Sequence, residues 1–126
     1  MRKVIVLFGL LSFFAVHIHA DDVEMDMDLM QNIEDINKSL SSNIALQRAD
    51  ASTSDANDLT GLFGIVENHF IKKGDAANAV ELAAKSKNLT LDIIKSVKAN
   101  DFDTANNSAT ELSRACRSCH TFYKKE

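Results

Sequence analysis

From Val23 onward the apolar residues recur at intervals of three and four, and no proline interrupts them anywhere in the 126 residues. That spacing is the period of a helix with one apolar face. Proline is the residue that most firmly stops a helix, and glycine, which weakens one, occurs only four times. A strand would need strict alternation of apolar and polar residues, which no stretch displays. These features confine the chain to an all-α fold.

Four helical segments follow from the pattern. The first spans roughly residues 23–47, with Met30, Ile33, Asn37, Leu40 and Ile44 on one stripe and Met27, Leu29 and Ile36 beside it. Acidic residues at 21, 22, 24, 26 and 28 sit in its first turns, where the helix dipole favours them. The polar run "RADASTSDAND" reads as a loop, with Thr53 or Ser54 as the N-cap of a second helix. That helix carries Leu59, Phe63, Val66 and Phe70 and stops at Gly74. A third, over 75–99, has Asp75 as its N-cap and Val80, Ala84, Leu91, Ile94 and Val97 as its stripe. After the turn "KANDFD", Asp101 caps the fourth. There Ala105, Ala109, Leu112, Cys116, Cys119 and Tyr123 step by four and three, the seam of a helix bundle. Short connections imply antiparallel neighbours, hence an up-down-up-down four-helix bundle. Residues 21–126 form its single domain.

The first twenty residues have a different character. Arg2 and Lys3 precede thirteen largely apolar residues, Val4 to Val16, and Ala20 precedes the abrupt "DDVEMDMD". This is the three-part pattern of a secretory signal peptide. The apolar run falls short of the ~20 residues that span a bilayer, so residues 1–20 are expected to be cleaved and the rest to be periplasmic, without membrane attachment. Removing Arg2 and Lys3 from the fourteen basic residues leaves twelve against eighteen acidic ones. A surface of that sign excludes nucleic acid as a partner.

The chain has two cysteines, both in the closing stretch "RACRSCHTFYKKE". An exported protein with two cysteines ordinarily forms one disulfide, but positions one turn apart on a helix meet disulfide geometry poorly. A redox dithiol sits at a helix N-terminus, and this pair lies near a helix C-terminus. A structural zinc site needs four ligands, which His69 alone is left to complete. Cys-x-x-Cys-His is the attachment signature of c-type haem. Two thiols a turn apart reach the two vinyl groups of one porphyrin, and His120, beside the second, can supply an axial nitrogen to the iron. Cys116, Cys119 and His120 are therefore expected to hold one covalent haem c.

A four-helix bundle with "CRSCH" near the end of its last helix resembles the cytochrome c′ group and its six-coordinate relatives, and is similar to the periplasmic b-type bundle cytochrome. The segment "DLMQNIEDINKSL" resembles the part of the first helix that carries the distal methionine in the six-coordinate members. The resemblance implies that Met30 is the second iron ligand and that the protein is an electron carrier. The sequence has no general acid–base constellation or nucleophile beside the motif, so it is not expected to be an enzyme. In the five-coordinate members an apolar residue guards the iron, which binds NO or CO. Leu29 is the candidate guard here and Met27 the alternative ligand, while Met25 points elsewhere by helical phase. Some relatives dimerise, so the chain is a monomer or homodimer.

Other residues have weaker expectations. Phe63, Phe70 and Phe122 suit pocket walls as well as ordinary core. Arg117, Lys124 and Lys125 are the nearest cations for the haem propionates, and His69 is a candidate neighbour of the ligands. The acidic surface would suit a basic redox partner, whose identity the sequence does not specify, in an association weakened by salt.

Overall fold

The computed structural model describes residues 25–123; the expected signal peptide, Lys124 and Lys125 lie outside them. Four helices make up almost all of this stretch: α1 (Met27–Ala45), α2 (Ala49–Lys73), α3 (Ala77–Lys98) and α4 (Phe102–Tyr123). Consecutive helices pack on one another and α1 also packs on α4, which closes a four-helix bundle. Among the described residues no helix is long and apolar enough to cross a membrane.

Of the expected N-caps, only Asp101 is found, and Asp26 caps α1, for which none was expected. Asp26 caps α1 by accepting a hydrogen bond from the Leu29 amide at 2.8 Å, and Asp101 accepts one from the Thr104 amide at 3.0 Å. The polar run after α1 is not a loop. Helix α2 begins at Ala49 and lacks a side-chain cap, so Thr53 and Ser54 lie within it. The turn is short because Gln47 adopts a left-handed backbone (φ 54). Its amide then bonds the Ile44 carbonyl, and the Arg48 amide reaches back to that of Asn43. This double closure is a Schellman motif. Asn100 (φ 58) repeats it after α3, with amide bonds from Asn100 to Val97 and from Asp101 to Ser96. Gly74 ends α2 with φ 80, as expected. Asp75 does not cap α3, which starts after Ala76.

The core runs along stripes with a four-three repeat. In α2 the buried positions are Ser52, Ala56, Leu59, Phe63, Val66 and Phe70, so the stripe continues through the polar run on small residues. In α3 they are Ala79, Ala83, Ser86, Thr90, Ile93 and Val97, with Ile94 beside them. The expected α3 stripe was partly misplaced, since Leu91 is 49% exposed. Small residues on this face let α2 and α3 approach closely. Some hydroxyls here find partners locally: Ser86 donates to the Leu82 carbonyl at 2.8 Å, and the Thr60 and Thr90 hydroxyls meet at 2.7 Å. Glu67 and Lys87 form an ion pair in the same seam. The pairs Thr60–Thr90 and Glu67–Lys87 advance along α2 while retreating along α3, so these two helices are antiparallel. At the far end of α1, Asp55 accepts from both Ser39 and Asn43 at 2.8 Å and ties α1 to α2.

Ser52 is fully buried and its hydroxyl has no hydrogen-bond partner. A desolvated polar group without a partner is destabilising. Ser52→Ala is expected to raise the unfolding free energy by about 1 kcal/mol, measured by denaturant titration. In the same assay Leu112→Ala, at a fully buried site, is expected to lower it by about 2–5 kcal/mol. A loss of stability in Ser52→Ala would contradict the unpartnered hydroxyl.

Candidate functional site

Helix α4 runs unbroken through the motif to Tyr123. Cys116 and Cys119 therefore lie on one side of it, a turn apart, and His120 follows on the adjoining side. Both thiols are free and half-buried, and Cys116 packs against the hydrophobic core. His120 is exposed to solvent. All three border one cavity of about 490 Å³, within the range of small-molecule and cofactor sites.

The cavity lies where the start of α1, the end of α2, the first half of α3 and the end of α4 come together. An alternation of helix directions places those four regions at one end of a bundle. The walls are apolar: Ile33 from α1, Phe63, Val66 and Phe70 from α2, Leu82 and Ala83 from α3, and Ala115 from α4. Contacts between α1 and α4 are the sparsest among the four neighbouring pairs of helices, which leaves space beside the motif.

Met30 borders this cavity, half-buried and packed against the core. Met27 also borders it but is 76% exposed. Met25 corrects the expectation from helical phase. It precedes the first turn of α1, so the phase does not govern it, and its side chain packs on the core and borders the cavity. Leu29 is 7% exposed and belongs to the core, not to the cavity lining. Phe63 and Phe70 are walls as expected, whereas Phe122 is 58% exposed and lies off the cavity. His69 also lies off it, edge-on to Phe70 with ring centroids 5.2 Å apart. Tyr123 borders the cavity and tilts against Phe70 at 5.3 Å.

Polar groups interrupt the lining at a few points. Arg117 borders the cavity, and so do Lys38 and Glu34, which form an ion pair at 2.8 Å. The Glu34 carboxylate, as hydrogen-bond partner and as charge, raises the pKa of Lys38, so Lys38 is a cation at neutral pH. Neither Lys38 nor Glu34 was anticipated at the site, although their four-residue spacing is a recognisable helical ion pair. Asn37 of α1 and Ser113 of α4 face each other across the lining, with the Asn37 amide donating to the Ser113 hydroxyl at 3.3 Å.

Burial pushes the Cys116 thiol up to about 11, helped by the neighbouring Cys119. Burial also raises Cys119. In the unmodified chain both groups are therefore protonated at neutral pH, the opposite of the activated thiolate that a redox dithiol requires. The four zinc-ligand candidates do not assemble, for among the described residues no three histidine, cysteine or acidic side chains form a metal-binding group. Compared with known proteins, the chain matches no family model, no curated protein and no solved structure.

Alkylation follows the thiolate, which gives the raised pKa a measurable sign. In the folded, unmodified chain the rate of Cys116 alkylation by iodoacetamide, followed by peptide mass spectrometry, is expected to keep climbing above pH 9 and to level off near 11. In denaturant it should level off near its ordinary value of 9. A plateau near 9 in the folded chain would contradict the burial of this thiol.

Proposed function

We propose that this chain is an exported electron-transfer protein that carries one haem bonded to Cys116 and Cys119, with His120 and Met30 as the two axial ligands. The observation that carries the reading is that Met30 of α1 borders the same apolar cavity as the Cys-x-x-Cys-His motif of α4. The residues present fit such a group. Two half-buried thiols stand one turn apart on a continuous helix. An imidazole and a thioether border the same space, and its walls are apolar. The cations Lys38 and Arg117 lie on its lining, where the two propionates of a haem would need countercharge.

The bound group would supply a one-electron ferric–ferrous couple, with thioether ligation favouring the reduced form. The chain does the rest. Cys116 and Cys119 would hold the group to α4, each adding its S–H across one of the two vinyl groups, so that no atom is lost. His120 offers a ring nitrogen from the next position. Met30 is the better-supplied sulfur because it is already packed on the core, whereas Met27 would have to be drawn out of solvent. Phe63, Val66 and Phe70 exclude water from the interior side, which limits reorganisation on electron transfer. The acidic chain suits a basic redox partner, while nucleic acid and membrane do not enter this reading.

Expression in a periplasm equipped for haem ligation tests the proposal. The purified chain is expected to be coloured, to have the mass of the cleaved polypeptide plus one haem, and to show sharp α and β bands when reduced. The ferric form should show the weak far-red band of methionine-bound iron. Met30→Ala should abolish that band and open the iron to CO, while Met27→Ala should leave both unchanged. A colourless product of polypeptide mass would end the proposal. A broad merged band with rapid CO binding in the unsubstituted chain would instead assign the protein to the five-coordinate binders of NO or CO.

A further inference from the structure

The seam between α1 and α4 contains a feature that packing alone does not explain. Asn37 stands two turns beyond Met30 in the stripe otherwise made of Leu29, Ile33, Leu40 and Ile44. Its amide nitrogen donates to Ser113 of α4, but its carbonyl oxygen is buried with no partner. An apolar residue at this place would bury the same surface without leaving an acceptor unsatisfied. A half-satisfied polar residue in a helix seam has one well-attested use, to select a single register between two helices that apolar contacts alone would allow to slide.

The spacing of the site agrees with that use. Met30 lies seven residues before Asn37, and His120 lies seven residues after Ser113. Seven residues are two turns, about 10.5 Å of rise. The cavity joins the start of α1 to the end of α4, so both displacements run toward the same end of the bundle. Fixing Asn37 opposite Ser113 therefore brings Met30 level with His120. A slip of one turn, about 5.4 Å, would present Met27 or the Ile33–Glu34 turn instead. The sparse contacts between α1 and α4 leave the register weakly determined by packing.

We infer that Asn37 and Ser113 are positioning residues whose hydrogen bond sets the height of the Met30 sulfur relative to His120. The inference rests on the axial pair proposed above. Neither residue touches the iron in this arrangement; both act through the register of the helices that bear its ligands.

The test uses the complete haem-loaded protein and added imidazole, which competes with Met30 for ferric iron. Loosening Met30 raises the population of open iron, and the apparent affinity for imidazole rises in proportion. Asn37→Leu and the milder Ser113→Ala are each expected to raise that affinity about fivefold, the scale of one net hydrogen bond, and to weaken the far-red band. The exchange Asn37→Ser with Ser113→Asn should return both readouts toward the unsubstituted values. Ile93→Val, a fully buried change in α3, serves as a control that lowers stability and leaves both readouts in place. Unchanged imidazole affinity in Asn37→Leu and Ser113→Ala, with the band present in the unsubstituted protein, overturns the inference and leaves the axial pair standing. An equal rise in Ile93→Val also overturns it, by showing a general loosening. A coloured but unsubstituted protein without the far-red band removes the axial pair and the positioning role together.

Discussion

The bundle depends on an imbalance between its seams. Along α2 and α3 the buried stripe mixes small residues, Ser52, Ala56, Ala79, Ala83, Ser86 and Thr90, with large ones such as Leu59, Phe63, Phe70 and Ile93. Small side chains bring the two backbones together, and the hydroxyls of Ser86, Thr60 and Thr90 bond to a carbonyl or to each other, while that of Ser52 is left without a partner. Helices α1 and α4 have no such close seam. Close packing fills protein interiors, so a bundle with one tight side and one loose side keeps its unfilled volume at the loose side. Here that volume adjoins the last two turns of α4, where the two thiols and the imidazole lie.

Legibility in the sequence followed side-chain size. The fourth helix could be read because Ala105, Ala109, Leu112 and Cys116 mark its stripe, although the structure buries Ala115 and leaves Tyr123 at its end 40% exposed. The beginning of α2 was misread because its buried positions are Ser52 and Ala56, which carry little hydrophobic signal. Helix α3 was displaced for the same reason. Its core face holds Ser86 and Thr90, while the more conspicuous Leu91 points to solvent. Turns without glycine were harder still. Gln47 and Asn100 take left-handed backbones, and only Asn100 is of a type that commonly does so.

The candidate site was legible in its motif and in Met30, and less so in its surroundings. Cys116, Cys119, His120 and Met30 do border one cavity. Helical phase misassigned Met25 because that residue lies before the helix begins. Leu29 and Phe122 were assigned by proximity in sequence, and the fold turns one into the core and the other to solvent. The lining contributed by α3 could not be anticipated while its buried face was misplaced. Asn37 stood on the α1 stripe in the sequence, but its partner Ser113 and the place of Lys38 are visible only once α1 and α4 are set side by side.

The position of the cavity also bears on stability. Phe63, Val66 and Phe70 belong to the core cluster and line the cavity at once. At this end of the bundle the core therefore stops at an open space. Filling that space with an apolar occupant would remove further hydrocarbon surface from water, which is favourable at about 25 cal/mol per Å². A group bonded to α4 alone would fasten to one helix, whereas a sulfur ligand from α1 would join the two neighbouring helices that touch least. Without such a group the bundle would rely on its α1–α2, α2–α3 and α3–α4 contacts, and a ligand bridging α1 to α4 would strengthen the ring where neighbouring helices touch least. On this reading ligation and folding are coupled, since the site that selects the occupant is also the part of the fold that lacks its own packing.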